Sequence, residues 1–311
     1  MKRIGLYNVD SKIPNLALMK ISAFHKERGD VVEPYSPLFK EQYDKVYAST
    51  IFNFSAKSLL DPERMVIGGS AWDLHKDLPP EVERSAPDYS FFNYEHSIGF
   101  TMRGCRFRCK FCVVPEKEGR PKMNSTIDEI WTQRASDFIV LLDNDFFGNP
   151  EWRERIAEIS KHGLRVNFNQ GLNIRIITDE QARALASVRF CNYHQTARQV
   201  HFAWDRFNDE KLIDAGIERV KAAGIRPAQM MFYVLIGFDT TPEQDYYRVM
   251  KLRGLGCDPF VMPYDKGDLY QRRFARWVNH KAIFKSVRWE DYGAGIKRVP
   301  VSENQAGLFA S

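Results

Sequence analysis

No run of apolar residues in this sequence approaches the roughly 18 that a membrane-spanning helix needs, so a helical membrane protein is not expected. There is no low-complexity stretch and no internal repeat, and neither disorder nor a fibrous architecture suits such a chain. The segment Met1-Lys-Arg-Ile-Gly-Leu-Tyr-Asn-Val-Asp10 puts polar Asn8 and Asp10 directly after a short apolar run, too brief for a signal-peptide core. The expected location is therefore cytoplasmic, with no membrane partner. A large excess of one charge is also missing. The 45 Lys and Arg against 40 Asp and Glu leave a formal charge of +5, too mild by itself to demand a polyanionic partner. Cysteine is scarce and odd in number: of five, three crowd into eight residues while Cys191 and Cys257 stand alone. A secreted disulfide scaffold is not built this way, whereas clustered cysteines in a reducing compartment bind metal or do redox chemistry. The two isolated cysteines read as small core residues.

What is present is an ordinary globular composition, 44% apolar and 27% charged over 311 residues, enough for a full-sized core. Residues 1–90 alternate strand signals (3–9, 31–34, 45–49, 64–67) with an amphipathic helix over 16–28 closed by Gly29. Parallel strands need crossovers, so this alternation predicts a small doubly wound, Rossmann-like α/β domain. A stretch over 77–88 with three prolines in twelve residues reads as a linker. Alternation resumes over 91–265, with strands at 138–142, 164–168, 200–204, 230–236 and 259–262. Helices are expected at 127–135, 150–162, 179–188, 209–223 and 242–255, punctuated by Gly163, Gly224, Thr178, Asn208, Pro150 and Pro242. Units of this kind in series predict an α/β fold, a complete or partial barrel, whose chemistry lies at the carboxyl ends of the strands. Residues 266–311 form a basic, aromatic extension. Between Leu269 and Arg298 it holds eight Lys or Arg against two acids, interleaved with Phe274, Trp277, Phe284 and Trp289.

The chemistry-bearing segment is Cys105-Arg-Phe-Arg-Cys109-Lys-Phe-Cys112. Three thiolates spaced C-x3-C-x2-C suit a cubane cluster with one iron left open, whereas a structural zinc wants a fourth ligand. His96 and His162 do not sit at zinc-ribbon or zinc-finger spacings. Gly104 permits a tight turn, and the basic residues between the cysteines favour thiolates.

This segment, with aromatic Phe111 before the third cysteine, resembles the CxxxCxΦC signature of the radical S-adenosylmethionine superfamily. The resemblance spans about residues 97–263 and implies a partial (β/α)6 barrel. It further implies a [4Fe–4S] cluster on Cys105, Cys109 and Cys112, with S-adenosylmethionine chelated by the fourth iron and Phe111 near its adenine. Reductive cleavage would yield methionine and a 5′-deoxyadenosyl radical that abstracts hydrogen from substrate, with flavodoxin or ferredoxin as electron donor. Where the family has a GGE-like turn, this chain has Leu142-Asp143-Asn144-Asp145. Asp143 or Asp145 is the candidate acceptor for the cofactor's ammonium with help from Asn144, and capping of the following helix is the competing role. Asn167, Asn169, Gln170 and Arg175 follow the next strand and suit a carboxylate and a ribose. Asp205 is placed like a ribose-contacting acid, and Ile236 and Gly237 like the strand end that meets adenine.

The N-terminal unit resembles the cobalamin-binding-type domain of cobalamin-dependent members, with Val66-Ile-Gly-Gly69 as a strand end, but the D-x-H-x-x-G segment is absent. Additional clusters would need cysteines that the chain lacks. Three functions are carried forward: a radical enzyme acting on a nucleotide, nucleic acid or other small molecule; a cobalamin-dependent radical methyltransferase; and a non-enzymatic metal-binding adaptor. The basic, aromatic extension suits phosphate contacts and base stacking, or else packs its aromatics into the core. Gln305-Ala-Gly-Leu-Phe309 is similar to short peptides that bind the bacterial sliding clamp.

Overall fold

A computed structural model describes residues 1–292. The clamp-like segment Gln305–Phe309 and the basic residues Lys297 and Arg298 lie outside them. The chain is mixed α/β with parallel sheets, and its described residues divide into two compact units, residues 1–203 with 208–231, and residues 204–207 with those from 232 onward. Among the described residues no helix is long and apolar enough to cross a membrane.

In the first unit, strands β1 (Arg3–Asn8), β2 (Val31–Pro34), β3 (Lys45–Ser49) and β4 (Met65–Gly68) form a parallel sheet in the order β2-β1-β3-β4. The helix Leu16–Lys26 begins at Asn15, whose side chain accepts from the Leu18 N–H. Its Leu18 and Ile21 pack on Ile4 and Leu6 of β1, while Met19 joins a second cluster with Ile98, Phe138 and Val140. One amphipathic helix thus contributes to two apolar clusters. Residues 77–88 are not a free tether: Val82, in the helical turn Pro80–Glu83, is buried with Leu18, Lys20 pairs with Glu83, and Lys26 pairs with Asp88. Their prolines shape a packed segment, which composition alone does not distinguish from a linker.

The central sheet holds β5 (Ser97–Gly99), β8 (Phe138–Leu141), β9 (Arg165–Phe168) and β10 (Arg189–Phe190), all parallel, in the order β10-β9-β8-β5. Between β5 and β8 an antiparallel hairpin pairs β6 (Met102–Arg103) with β7 (Lys122–Met123). Every residue of β8 is buried, as expected of a strand covered on both faces. Helices Trp152–Lys161, Asp179–Ser187 and Glu210–Ala222 lie at the expected places, the second with a capping box of Thr178 and Gln181. The helix expected over 127–135 lasts one turn, Ile127–Ile130. Trp131 leaves the helical region and donates its indole N–H to the Ser136 carbonyl, with the Arg134 guanidinium 4.3 Å from its ring centroid. Local bonding there replaces the helical ladder. Asn208 was the expected cap of the third helix; Asp209 occupies that place without a side-chain cap bond. β11 (Val200–Ala203) closes this unit's list of strands.

In the second unit, β12 (Met230–Ile236), from Phe232 onward, lies beside β13 (Asp258–Pro263). The helices Pro242–Gly254, Leu269–Asn279 and Lys281–Ser286 complete it. Phe274, Trp277, Val278 and Phe284 are buried, and Trp277 meets Phe274 and Trp289 at a tilt and Phe284 edge-on, while Arg272, Arg273 and Arg276 are exposed. Trp277 is therefore a core residue, beyond reach of a nucleobase. Cys191 and Cys257 are also buried.

Candidate metal centre

The cysteine segment is the loop of the β6–β7 hairpin, held by bonds from both sides. Gly104 begins it with φ +83°, and a Cβ there would overlap the Arg120 carbonyl, so glycine is required by both conformation and space. The Gly104 N–H donates to Glu118 Oε2 (2.8 Å), Asn144 Nδ2 donates to the same oxygen (3.0 Å), and Arg103 pairs with Oε1 at 3.3 Å. Glu118 therefore ties the start of the loop to its end and to the turn after β8. Nothing in its sequence neighbourhood singled it out, because its partners are 14 to 26 residues away.

Two further carboxylates fasten this region to the carboxyl end of β8. Asp143, buried at 4% exposure, accepts from Thr101 N–H (3.1 Å), Thr101 Oγ1–H (2.6 Å) and Met102 N–H (2.7 Å). Burial raises its carboxyl to about 6 in spite of these three donors. Asp145, equally buried, takes the Arg106 guanidinium in a two-pronged pair, Nε to Oδ2 at 2.7 Å and Nη2 to Oδ1 at 2.9 Å. The hydrogen bond that Arg106 donates to Asp145 raises the pKa of Arg106. Gly148 leaves the room this pair occupies, since a Cβ there would overlap Asp145 Oδ2 and approach Arg106 Nε. Both aspartates thus hold the loop between hairpin and sheet, and Asp145 does not cap the following helix.

The three thiols are half-buried on this loop. The Phe107 N–H donates to Cys105 Sγ at 3.4 Å, and the Cys112 N–H to the Cys109 carbonyl at 3.0 Å. Burial pushes the Cys105 thiol up to about 11; the Phe107 N–H opposes this, and Asp145 and the other two thiols add to it. Arg106, bound to Asp145, is thus not enough to favour the thiolate. Among the described residues no three Cys, His, Asp or Glu side chains converge into a ready metal-binding set. The donor chemistry nevertheless suits an iron–sulfur cluster: three thiols on one loop, Cys105 within electrostatic reach of the other two and lining a recess of about 280 Å³ with Arg106, Arg108 and Arg120. Cationic walls suit an anionic cluster.

Phe111 is half-buried on the same loop. Arg175 reaches the loop too, its guanidinium 5.3 Å from the Phe107 ring centroid and 2.8 Å from Asp209 Oδ2. Asn167 faces inward and donates to the Cys191 carbonyl (2.9 Å), whereas Asn169 is half-buried and Gln170 exposed just past β9. The first unit thus puts Cys105, Cys109, Phe111 and Cys112 on one loop and ties the start and end of that loop to Asp143, Asn144 and Asp145.

Asp205, Ile236 and Gly237 belong to the second unit. There the fully buried Arg248 donates Nη1 to the carbonyls of Trp204 (2.7 Å) and Asp205 (3.0 Å), and Nη2 to the Leu235 carbonyl and Asp245 Oδ1 (2.7 Å each). Asp245 Oδ1 also accepts from Thr240 Oγ1, which accepts from the Gly237 N–H. A chain of hydrogen bonds joins Asp205 to Gly237, the latter at φ +76° against Gln271. The sequence matches no protein-family model and no curated protein.

Proposed function

We propose that this chain is a radical S-adenosylmethionine enzyme, with Cys105, Cys109 and Cys112 as the ligands of a [4Fe–4S] cluster. The observation that carries the reading is the CxxxCxΦC loop fastened by Asp143 and Asp145 over the carboxyl end of a parallel strand, where α/β proteins keep their chemistry. The strands of the central sheet would begin the partial (β/α)6 barrel of that superfamily. When bound, such a cluster supplies the electron that splits S-adenosylmethionine into methionine and a 5′-deoxyadenosyl radical. The protein's own part is to hold three thiols on a stiff loop and to receive the cofactor's polar ends. Asp143 and Asp145 are engaged by the loop, so the side-chain carbonyl of Asn144, whose amide goes to Glu118, is the better acceptor for the ammonium. By the same resemblance Asn169 and Gln170 would serve the carboxylate and ribose, and Asp205, Ile236 and Gly237 the ribose and adenine. A flavodoxin or ferredoxin would supply the electron, and the substrate is a nucleotide, nucleic acid or other small molecule.

The test is anaerobic purification with iron and sulfide analysis, followed by reduction with S-adenosylmethionine. About four irons and four sulfides per chain are expected, lost in the Cys105→Ala/Cys109→Ala/Cys112→Ala protein, together with release of 5′-deoxyadenosine. Stoichiometric zinc, or a cluster retained by the triple variant, would sink the reading and leave the metal-binding adaptor. Methylcobalamin-dependent transfer of a methyl group would instead select the cobalamin-dependent alternative.

A further inference from the structure

The other end of the central sheet carries a feature that the cluster loop does not use. The loop is fastened at the carboxyl end of β8, whereas Arg165 and Arg189 are the first residues of the parallel strands β9 and β10. They line a recess of about 520 Å³ together with Ser187, Gln195, Thr196 and Arg198, within the range of small-ligand sites.

Of the three guanidiniums here, two share one carboxylate. Arg165 takes Asp137 through Nε (3.0 Å) and Nη2 (2.5 Å), and Arg189 lies 3.4 Å from its other oxygen. Arg189 is fixed mainly by a neutral acceptor, the Gly163 carbonyl at 2.7 Å. Arg198 meets no carboxylate within ion-pair distance among the described residues; it donates to the Ala186 carbonyl (3.1 Å) and sits 4.7 Å from the Phe190 ring centroid. Neutral acceptors orient these two guanidiniums without cancelling their charge, and each retains unused N–H donors. Thr196 Oγ1 accepts from Asn192 Nδ2 (2.9 Å), so its own hydroxyl proton remains to be donated. Gln195 holds the turn in the left-handed region at φ +59°, uncommon outside glycine, stabilised by bonds to the Asn192 carbonyl and the His96 ring. The recess is thus net positive, lined with oriented donors and shaped by a strained turn.

We propose that this recess is a second binding site, for the phosphate group of a small phosphate monoester. Guanidiniums in fixed orientation match tetrahedral oxyanions, and the shared Asp137 leaves two positive charges uncompensated.

The proposal is independent of the cluster and is tested on the full chain by calorimetric titration with inorganic phosphate and with adenosine 5′-monophosphate at low ionic strength. Saturable binding of both is expected. Arg189→Gln and Arg198→Gln should each weaken it about tenfold, the scale of one charge-assisted hydrogen bond, and the triple cysteine variant should bind like the parent. Both arginines are exposed, so the glutamine variants should stay folded. The parent provides a second readout: its melting temperature should rise with phosphate and not with chloride at matched ionic strength. Absence of heat and of a melting shift, or undiminished affinity in both glutamine variants, overturns the proposal. Displacement of phosphate by an oligonucleotide lacking a terminal phosphate would overturn the monoester assignment in favour of a nucleic-acid backbone.

Discussion

At the end of β8 the anchoring groups are acids, whereas in the second unit the anchor is a cation. Asp143 and Asp145 collect donors: three backbone N–H groups, a hydroxyl and a guanidinium from the hairpin that carries the cysteines and the residue before it. Arg248 collects acceptors: three backbone carbonyls and one carboxylate. The acids receive a loop that enters N–H first, and the arginine receives chain leaving strands carbonyl first. The difference lies in solvent. Arg248 and Asp245 are both fully buried, while the Arg106 side chain, paired with Asp145, is about 37% exposed. Water can substitute for a lost partner at Arg106 and cannot at Arg248, so one anchor is rigid and the other releasable.

That contrast predicts its own largest break. Arg248→Met leaves Asp245 buried without its cation and three carbonyls without their donor. It should destabilise the protein by about 3–5 kcal/mol in urea denaturation, and Asp245→Leu in the same chain should recover part of that loss. Asp145→Ala should cost clearly less. Equal losses in the two variants would mean that the difference in exposure has no energetic weight.

The next effect is pH-dependent and belongs to Asp143. Its carboxyl is raised from 3.8 to about 6 by burial, so the folded chain holds a proton that the unfolded chain has released. The stabilisation is complete below about pH 4 and is lost as pH rises through 6, amounting to about 3 kcal/mol. Asp88 works oppositely, lowered to about 2 by bonds from Lys26, Ser22 and Ser90 that outweigh its burial. The measurement is therefore the stability difference between the parent and Asp143→Asn at pH 4 and pH 7. It should shrink or reverse by that amount with rising pH, and a constant difference would refute the assignment.

The elements were legible in the sequence where their signals are local. The four N-terminal strands appear within a residue or two of expectation, because the helix between the first two closes at Gly29 and the apolar runs of β2 and β4 end at Pro34 and Gly68. Thr178 announced its helix through a bond three residues away. β5 and β10, three and two residues long, carry too little pattern to be read. The cysteine loop was legible for the same local reason, its ligands lying within eight residues. The role of Asp143 and Asp145 was not. Their acidity suggested a ligand contact, and their partners, 39 to 42 residues distant, exist only once β5, the hairpin and β8 are assembled. Arg248 reads as any polar residue of an amphipathic helix, and burial alone distinguishes it.

The smallest change sharpens the comparison most directly, because it adds a single methyl to the releasable anchor. Gly148→Ala puts a Cβ into Asp145 Oδ2 and beside Arg106 Nε, so the ion pair must open; Arg106 is free to swing into water, and the loss should be about 1–3 kcal/mol. Gly119→Ala is the matched control within the same loop: its φ is +73° but no atom lies within 4 Å of the added carbon, so backbone strain alone, about 1 kcal/mol, is expected. The two variants also separate loop anchoring from loop conformation. If the Asp145 pair keeps the thiols in reach of one another, Gly148→Ala should lower iron retained after anaerobic gel filtration further than Gly119→Ala does, although both leave every cysteine in place. If the two lose iron equally, the pair serves stability alone, and the hairpin with Glu118 is sufficient to hold the thiols together.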